Sequence, residues 1–523
     1  MPFSVSLKRI AFAGCGLAGV LAGCATQGPT AQLLHLEQAG QAAESARERF
    51  KTLNRVTWGV NGCTEQLADG LGLAHYLERQ LHPGPAALPS VIQTQIAAMT
   101  ITQQPLPQLI ERLEQRRKAA DALTVDDDKK TAQQGYQQEL NRLAKEAATR
   151  SLLRDLYSQN QLQEQMTWFW MNHFNVHQGK SNLRAMIGDY EEQAIRPHAL
   201  GKFRDLLSAS VHHPAMLRYL DNEQNASGHI NENYARELME LHTLGVGGGY
   251  SQHDVQELAR ILTGVGVNTG TTTPNVRREL QSQYVRLGLF EFSPNRHDYG
   301  DKQFLGQTVR GRGLGELEEA IDRLSHSPAT AHFISRKLAM FFVADTPPAP
   351  LVDHLAQTFL RTDGDIAAIL NTLFYAPEFS QSLGHEFKDP LHYVVSAVRL
   401  AYDDKPILNA GPILNWLNRM AEPLYGRQTP DGYPMAESAW ASSGQMSTRF
   451  DIAKAIGSGS SGLFKSDGPQ PQEQAAFPQL SNALYFQVLQ KTLSAATRQA
   501  LDQASSPQEW NTFLLSSPEM MHR

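Results

Sequence analysis

The sequence has no excess of basic residues. It contains 47 Lys and Arg against 53 Asp and Glu, which gives a formal net charge of -6 over 523 residues. A nucleic-acid-binding surface depends on clustered positive charge, and so does peripheral attraction to anionic lipid. The charge balance therefore predicts no nucleic-acid partner and no electrostatic attachment to a membrane.

The N-terminus lacks an apolar run long enough to span a bilayer. Lys8 and Arg9 are followed by an apolar stretch, Ile10–Leu21, of about a dozen residues, whereas a transmembrane helix needs roughly 20. A basic start, a short apolar core and small residues at its end are the layout of a secretory signal. We expect residues 1–23 to be a signal peptide and the protein to leave the cytoplasm.

The end of this segment resembles the bacterial lipobox in Leu21-Ala22-Gly23-Cys24. The resemblance implies diacylation of Cys24, cleavage before it, and acylation of the new amino group by a fatty acid such as palmitate. Two or three acyl chains suffice for stable attachment to a membrane. The alternative is an ordinary signal peptide with an incidental cysteine. Ala25, rather than Asp, follows the cysteine, and in lipoproteins of this kind that favours the outer membrane.

Cysteine is scarce, with Cys15, Cys24 and Cys63 as the complete set. If Cys15 is removed with the signal and Cys24 carries lipid, only Cys63 is left. The mature chain then has no intramolecular disulfide, although an exported compartment would permit one. Apolar burial must stabilise the fold, and a chain of this length can bury enough surface to do so.

Runs of alternating β-branched residues are also scarce, and apolar residues instead return every three or four positions. The pattern predicts a mainly α protein, a large multi-helix globular domain with at most a small β hairpin or sheet. Gln283–Phe292 is the candidate for that hairpin. The predicted organisation is a signal peptide (1–23), a tether (24–50), a helical domain (51–456), a flexible loop (457–478) and a C-terminal helical segment packing on the main domain (479–523).

Several residues predict helix starts. Pro214, Pro328 and Pro377 each precede an apolar helical run, and proline fits the first helical position because its missing N–H has no helical partner there. Ser251 and Asp254 have the spacing of a capping box, with Asp standing where Glu is usual.

The segment with the most polar side chains is Asn231–His242. On a helix, Asn233, Arg236, Glu237 and Glu240 fall within an arc of roughly 100°. His242 points the opposite way, so it cannot act together with Glu240 from this helix. The zinc-protease spacing His-Glu-x-x-His is absent.

The two glutamates of this stripe allow three interpretations. Their stems lie about 5–6 Å apart on one stripe of the helix, whereas the two carboxyl groups of a glycosidase flank the scissile bond from opposite sides. At most one of Glu237 and Glu240 is then a catalytic acid or base, with its partner supplied by another segment. The second interpretation is a bridging pair of metal ligands. The third is structural: Arg236 and Glu240 form an ion pair that organises a buried polar seam.

Two further segments carry candidate site residues. Trp168–Phe174 is apolar nearly all round and contains Trp168, Trp170, Asn172 and His173. Tryptophan rings in a groove can stack on sugars, but a histidine among aromatics is also commonly a hydrogen-bonded core residue. Asn295–Lys302 is a polar loop in which His297 and Asp298 could orient a general base, and a turn stabilised by Asn295 and Asp298 explains it equally well.

These segments resemble a bacterial family catalogued as domain of unknown function 1800. The resemblance covers most of the chain from Leu53 to about Ile456. Its longest matching stretch is Asn231–Gly264, within which the run Asn231–Leu238 is the specific signature. Other matching stretches are Leu53–Gly59, Trp170–Val176, Arg196–Leu206, His213–Leu217, His297–Gly306, Ala329–Phe342 and Lys388–Pro390, whereas Tyr425–Tyr433 matches loosely. The resemblance implies a predominantly helical, exported protein and supplies no established reaction or cofactor.

The family pattern places polar residues at Asn172, His173, Asn233, Arg236, Glu237, Glu240, His297 and Asp298. The leading functional hypothesis is an envelope-associated hydrolase acting on a polysaccharide. In it Glu237 or Glu240 is the acid or base, His297 or His173 assists, and Trp168, Trp170, Asn172, Asn233, Arg236 and Asp298 bind substrate. The rival hypothesis is a non-catalytic lipoprotein that binds or scaffolds envelope components, and the third is a metal-binding protein.

Overall fold

The computed structural model describes residues 45–85, 88–466, 468 and 472–523. The predicted signal peptide, the lipidation residue Cys24 and most of the predicted tether lie outside the described residues. Residues 47–523 form one compact unit.

The described chain is mainly α-helical, which confirms the predicted fold class. The first half contains the helices α1 (45–56), α2 (Gly62–Leu71), α3 (Leu73–Leu81), α4 (Ser90–Ala97), α5 (Thr100–Gln103), α6 (Leu106–Asp121), α7 (Asp126–Tyr157), α8 (Gln161–His173), α9 (Ile187–Asp189), α10 (Phe203–His212), α11 (Pro214–Tyr219), α12 (Asn233–Glu240) and α13 (Gln252–Ile261).

The second half contains α14 (Gly315–Ser325), α15 (Pro328–Phe342), α16 (Ala349–Arg361), α17 (Ile366–Phe374), α18 (Pro377–Ser382), α19 (Pro390–Tyr402), α20 (Gly411–Arg419), α21 (Ser443–Gly457), α22 (Gln490–Thr492), α23 (Ala495–Asp502) and α24 (Pro507–Leu515). Single π-helical turns cover Tyr190–Ile195 and Tyr485–Leu489.

Two small antiparallel sheets complete the architecture. One has the order β1 (Val265–Val267), β3 (Phe290–Phe292), β2 (Val285–Leu287), and the other pairs β4 (Lys302–Phe304) with β5 (Gln307–Val309). The β2–β3 hairpin lies within the predicted segment, with Leu287 opposite Phe290. Gly288 turns the chain between them at φ +62, a backbone region that glycine adopts without steric cost.

Several helix starts follow the predicted local chemistry. Pro214, Pro328 and Pro377 lie in the first turns of α11, α15 and α18. Ser251 and Asp254 form the capping box of α13, since the Ser251 side chain accepts the Asp254 N–H and the Asp254 carboxylate accepts the Ser251 N–H. These contacts satisfy N–H groups that a helix start leaves without partners.

The centre of the core is α19, in which every residue is buried. A helix that is apolar nearly all round must be surrounded by other elements, and α19 packs against α7, α20 and α21. The aromatic helix α8 is also mostly buried. The elements that bear the candidate site, α8, α12 and α15, each contribute buried apolar residues to the core.

Candidate functional site

Helix α12 is short, and contacts at its start connect it to neighbouring segments. The Asn231 side chain accepts the Asn233 N–H at 3.0 Å, and the Asn233 side chain donates to the Leu220 carbonyl at 3.1 Å. The inner face, formed by Tyr234, Ala235, Leu238 and Met239, is buried. The polar stripe predicted from the sequence consequently lies on the outer side of this helix.

Arg236 lies between two carboxylates of the stripe. Its guanidinium is 3.2 Å from Glu232 and 3.5 Å from Glu240, and it also donates to Gln252 at 2.8 Å. The Arg236–Glu240 ion pair that the structural interpretation predicted is thus present. It lies at the surface, with the side chains 38% and 28% exposed, rather than in a buried seam.

Glu237 differs from its neighbours because, within the described residues, its carboxyl group makes no hydrogen bond and no ion pair. Partial burial raises the pKa of Glu237, the nearby charges of Glu240 and Asp431 raise it further, and Arg236 opposes them. This environment favours the protonated acid. Glu237 is therefore the member of the stripe suited to donate a proton.

Asp431 comes from a distant loop and has the opposite environment. Burial opposes its ionisation, but hydrogen bonds from Arg427 and Thr429 lower the pKa of Asp431 overall. Arg427 donates to both carboxylate oxygens, at 2.8 and 3.1 Å, and the Thr429 hydroxyl donates at 2.5 Å. These charge-assisted contacts keep Asp431 ionised.

Amide side chains at and just beyond the end of α8 hold this loop in place. Asn172 forms two hydrogen bonds with the backbone of Tyr433, accepting its N–H at 2.6 Å and donating to its carbonyl at 3.0 Å. Asn175 donates to the carbonyls of Arg427 and Thr429 at 3.0 and 2.8 Å. Asn172, predicted to bind substrate, is in this structure a residue that positions Asp431.

The approach of the loop to α8 is close enough to require glycine. Gly432 has φ +77, and a Cβ atom there would lie 2.2 Å from the Asn172 carbonyl oxygen. No L-amino acid with a side chain could occupy this position without moving the loop.

The phenol of Tyr219 is influenced by both carboxyl groups, those of Glu237 and Asp431. Its hydroxyl donates to the Gln428 carbonyl at 2.8 Å. Burial raises the pKa of Tyr219 to about 12, and the charges of Glu237 and Asp431 contribute to that increase. Both carboxyl groups therefore lie within electrostatic range of one phenol, although 194 residues separate them in the sequence.

Glu240 contacts a tyrosine as well as Arg236. Burial and a hydrogen bond to Glu240 raise the pKa of Tyr250 to about 12. Glu240 therefore has two side-chain partners where Glu237 has none within the described residues, which separates the two glutamates that the sequence could not distinguish.

His173 is buried beside this site. One ring nitrogen, Nε2, lies 3.1 Å from the His242 carbonyl oxygen, and the other, Nδ1, lies 2.9 Å from Lys337 Nζ. Burial lowers the pKa of His173 well below its usual value, with further contributions from Lys337 and His242. The imidazole is therefore neutral, and the side chain of His242 belongs to the core, as its predicted direction implied.

The structure places His297 and Asp298 with other partners. The His297 side chain is fully buried, with Nε2 2.9 Å from Glu316 and Nδ1 2.8 Å from the Thr263 carbonyl. Glu316 also pairs with Lys302, and Asp298 pairs with Arg260 at 2.9 Å. In this arrangement His297 stabilises the packing of α14 and has no route to a ligand.

The two predicted stacking tryptophans do not form a groove. Trp170 is fully buried, and its indole N–H donates to the Ala199 carbonyl at 2.9 Å. Trp168 packs against Phe341 with ring centroids 5.9 Å apart and lines a small cavity of about 30 Å³ with Asn172 and Tyr433. Trp168 thus supports the loop from beneath.

Sequence reasoning missed three residues of this site: Asp431, Tyr219 and Lys337. Lys337 lies on α15 inside a stretch that the family resemblance covered, and Asp431 lies in the loosely matching segment Tyr425–Tyr433. The Gly432 that follows Asp431 was the one local signal of a close backbone approach.

The described part of the chain contains neither a metal-binding cluster nor a membrane-spanning helix. No three or more His, Cys, Asp or Glu side chains there are grouped closely enough to hold a metal ion. No helix among the described residues has both the length and the apolar content needed to cross a bilayer.

Comparison with known proteins agrees with the resemblance noted above. A family described as "Protein of unknown function (DUF1800)" matches residues 51–522. No curated protein and no solved structure matches the chain.

Proposed function

The chain belongs to the DUF1800 family of proteins of unknown function, and we propose that it is a hydrolase acting on an envelope polysaccharide through two carboxyl groups, Glu237 and Asp431. Glu237 is the general acid that protonates the leaving oxygen. Asp431 is the base or nucleophile. The observation that carries the proposal is that Glu237 has no hydrogen-bond or ion-pair partner among the described residues and feels the charge of an ionised Asp431, which together with burial raises the pKa of Glu237.

Glycoside hydrolysis commonly needs one carboxylic acid and one carboxylate at the same bond. When the surroundings raise the pKa of one carboxyl group and lower that of its neighbour, the first stays protonated and the second stays ionised. Each group is then in the form that its step of the reaction requires. Burial and like charge raise the pKa of Glu237, while Arg427 and Thr429 lower that of Asp431.

The origin of the two groups on separate elements supports the same conclusion. Glu237 projects from α12 and Asp431 from the loop that Asn172 and Asn175 hold. Groups from two segments can approach a scissile bond from different sides, whereas Glu237 and Glu240 on one helix cannot. Arg236 in this scheme neutralises Glu240 and keeps that carboxylate from competing for the role of acid.

An exposed site fits a polymeric substrate. The Asp431 side chain is 51% exposed, and Glu237, Arg236 and Tyr250 are all partly exposed. A chain polymer can lie across an open surface of this kind, while small-molecule sites are usually concave and mostly apolar.

The test uses purified protein and purified envelope polysaccharides, with release of reducing ends as the readout. Glu237→Gln and Asp431→Asn should each lower the rate by about 10²–10⁴, the usual contribution of a general acid or base. Glu279→Gln, at an exposed position remote in sequence, is the matched control and should retain the wild-type rate. If the wild-type protein releases no product from any polysaccharide, or if Glu237→Gln is fully active, the hydrolase is excluded.

A second candidate function is binding without catalysis, in which the protein scaffolds envelope components. The observation in its favour is that Arg236 bridges Glu232 and Glu240, so that this part of the stripe is already paired. It predicts that Glu240→Ala lowers the melting temperature without any separate functional defect. Co-sedimentation with polysaccharide that is equally strong for wild type and Glu237→Gln, without release of reducing ends, would support it.

We also propose export and attachment of lipid to Cys24, with the protein in the outer membrane. The support is the sequence of the N-terminus: Lys8 and Arg9, the apolar run Ile10–Leu21, and Leu21-Ala22-Gly23-Cys24. Cells expressing the wild type should incorporate labelled palmitate into the protein and retain it in the membrane fraction. Cys24→Ser should abolish both, and labelling that persists in this variant would refute the proposal.

A further inference from the structure

Lys337 occupies an unusual position for a lysine. It lies on α15 and is only partly exposed. Its Nζ is 2.9 Å from His173 Nδ1 and 5.7 Å from the centre of the Phe333 ring. In the described part of the chain Lys337 forms no ion pair with a carboxylate. Burying an ammonium group without an ionic partner is costly, and this environment therefore favours loss of a proton from the Lys337 ammonium.

The contact with His173 orients the Lys337 nitrogen. His173 Nε2 lies against a carbonyl oxygen, that of His242, and since a carbonyl can only accept, Nε2 must carry the ring proton. Nδ1 is then an acceptor, to which Lys337 donates an N–H. A neutral amine still has an N–H for this bond, and its lone pair points away from the imidazole.

The charged and titratable groups around Lys337 come from three segments. His173 on α8 is neutral, and burial lowers the pKa of His242, beyond the end of α12, to about 3, so that it is neutral as well. Asp431 is the carboxylate whose charge favours the ammonium form, but burial outweighs it and lowers the pKa of Lys337 to about 8. A substantial fraction of this amine is unprotonated near neutral pH.

We propose that Lys337 is a nucleophilic amine that reacts with aldehydes to form imines at the edge of the site formed by Glu237 and Asp431. This activity goes beyond the proposed hydrolysis, because it needs neither Glu237 nor Asp431 as a proton donor or nucleophile. The ligand class is a small or chain-terminal aldehyde, such as the open-chain reducing end of a sugar.

The reaction balances without an oxidant or a reductant. The Lys337 lone pair attacks the carbonyl carbon and forms a C–N bond. The carbonyl oxygen takes up both amine protons and leaves as water, so that amine and aldehyde yield imine and water. When the imine is protonated it again has one N–H, which His173 Nδ1 can accept.

Lys388 provides a natural internal comparison. Its Nζ contacts the Ser396 hydroxyl at 3.0 Å, and burial lowers the pKa of Lys388 to about 7. Only 2% of Lys388 is exposed, however. If loss of the proton alone determined reactivity, both lysines would react with aldehydes. The proposal also requires that the aldehyde can reach the amine, so it predicts reaction at Lys337 and not at Lys388.

The experiment treats the folded full-length protein with glycolaldehyde and cyanoborohydride at pH 7.5, and then maps adducts by peptide mass spectrometry. Lys337 should be modified on the order of tenfold faster than an exposed lysine such as Lys130, because an ammonium group is not a nucleophile and an ordinary lysine side chain is mostly in that form at neutral pH. Lys388 should be unmodified. The labelling rate of Lys337 should be half-maximal near pH 8.

Two variants complete the test. Lys337→Arg preserves the positive charge and should remove the fast adduct, and Glu237→Gln should be labelled like wild type even if the proposed hydrolase is wrong. Should Lys337→Arg fail to fold, site mapping and the pH profile of the wild-type protein decide the question without it. Adducts spread evenly over the surface lysines, or a Lys337 rate no faster than that of Lys130, would overturn the proposal.

Discussion

The charge state of Glu237 depends on burial and on charged side chains from two separate segments, α12 and the loop that bears Asp431. The sequence identified Glu237 as a candidate because helical spacing aligns it with Arg236 and Glu240. It could not show that Glu240 has partners in Arg236 and Tyr250 while Glu237 has none within the described residues. That difference comes from contacts between elements, and it decides which glutamate can act as the acid.

Glu237→Gln should make the protein slightly more stable at neutral pH. The folded-state pKa of Glu237 is raised above its unfolded value, so the folded protein binds this proton more tightly and loses stability as pH rises through that window. The amide that replaces the carboxyl group in Glu237→Gln does not ionise, so the variant does not lose this stability as pH rises. Partial exposure screens the effect, and we expect an increase in melting temperature of about 1 °C at pH 7.

The same comparison at pH 4 provides the control, because both folded and unfolded states are then largely protonated at this position. The two proteins should melt at nearly the same temperature there. A variant that is less stable than wild type at pH 7 would contradict the inferred environment of Glu237.

Arg236→Gln should shift the pH dependence of hydrolysis. Arg236 opposes the increase in the Glu237 pKa, so its removal should raise that pKa further. Activity that requires protonated Glu237 declines as pH increases past this pKa. The alkaline limb of the pH–rate profile should therefore move to higher pH, by up to about one unit. The control is Arg112→Gln, which breaks a remote surface pair with Glu139 and should leave the pH–rate profile unchanged. If Arg236→Gln also leaves the profile unchanged, Glu237 is not the acid.

At the scale of elements, local chemistry predicted the starts of helices better than it predicted the contacts between them. The capping box of α13, the proline starts of α11, α15 and α18, and the β2–β3 hairpin depend on residues only a few positions apart. The loop that bears Asp431 instead depends on Asn172 and Asn175, more than 250 residues earlier. No short-range pattern contains that information.

Gly432→Ala should disrupt the Asp431 loop. The positive φ and the 2.2 Å approach of a Cβ atom to the Asn172 carbonyl act together, and we expect a loss of roughly 2–4 kcal/mol in the free energy of unfolding. Hydrolysis should be lost as well, because Asp431 would move. Urea unfolding and the reducing-end assay measure the two effects.

Gly306→Ala is the matched control for this substitution. Gly306 has φ +75, but no atom lies within 4 Å of the position that its Cβ would take. Only the cost of placing a residue with a side chain at this positive φ should remain, about 1–2 kcal/mol in the free energy of unfolding. Activity should be retained. Equal losses at the two positions would show that the contact with Asn172 is not important.

At the scale of the whole molecule, polar groups are buried as paired clusters within a largely apolar interior. His297, Glu316 and Lys302 form one such cluster, with their side chains fully buried. The sequence predicted His297 as a catalytic residue because a His-Asp pair in a polar loop is typical of functional sites. Its partner Glu316 lies on α14, 19 residues later, and the loop alone did not reveal that contact.

Glu316→Gln should destabilise the protein by about 3–5 kcal/mol, because it removes the carboxylate that pairs with the buried side chains of Lys302 and His297. Burial opposes ionisation of Glu316, but hydrogen bonds from His297 and Lys302 lower its pKa overall. This contribution is therefore present above the unfolded pKa of glutamate and is lost as pH falls through the lower folded pKa. The variant should show a flatter decrease of stability in acid, measured by thermal melts between pH 3 and 7. An unchanged acid profile would indicate that the cluster contributes little.

The sequence by itself determined the helical class, the position of the small hairpin, the starts of several helices and the polar stripe of α12. Each of these follows from interactions among residues close together in the chain, through helical periodicity, capping and turn formation. Only the tertiary structure decided that Asp431 and Lys337 join the candidate site, that His297 lies elsewhere, and that of the two glutamates in the α12 stripe it is Glu237 that has no partner among the described residues. Burial and charge depend on segments that meet only after folding, because the apolar interior brings distant elements together irrespective of their separation in sequence.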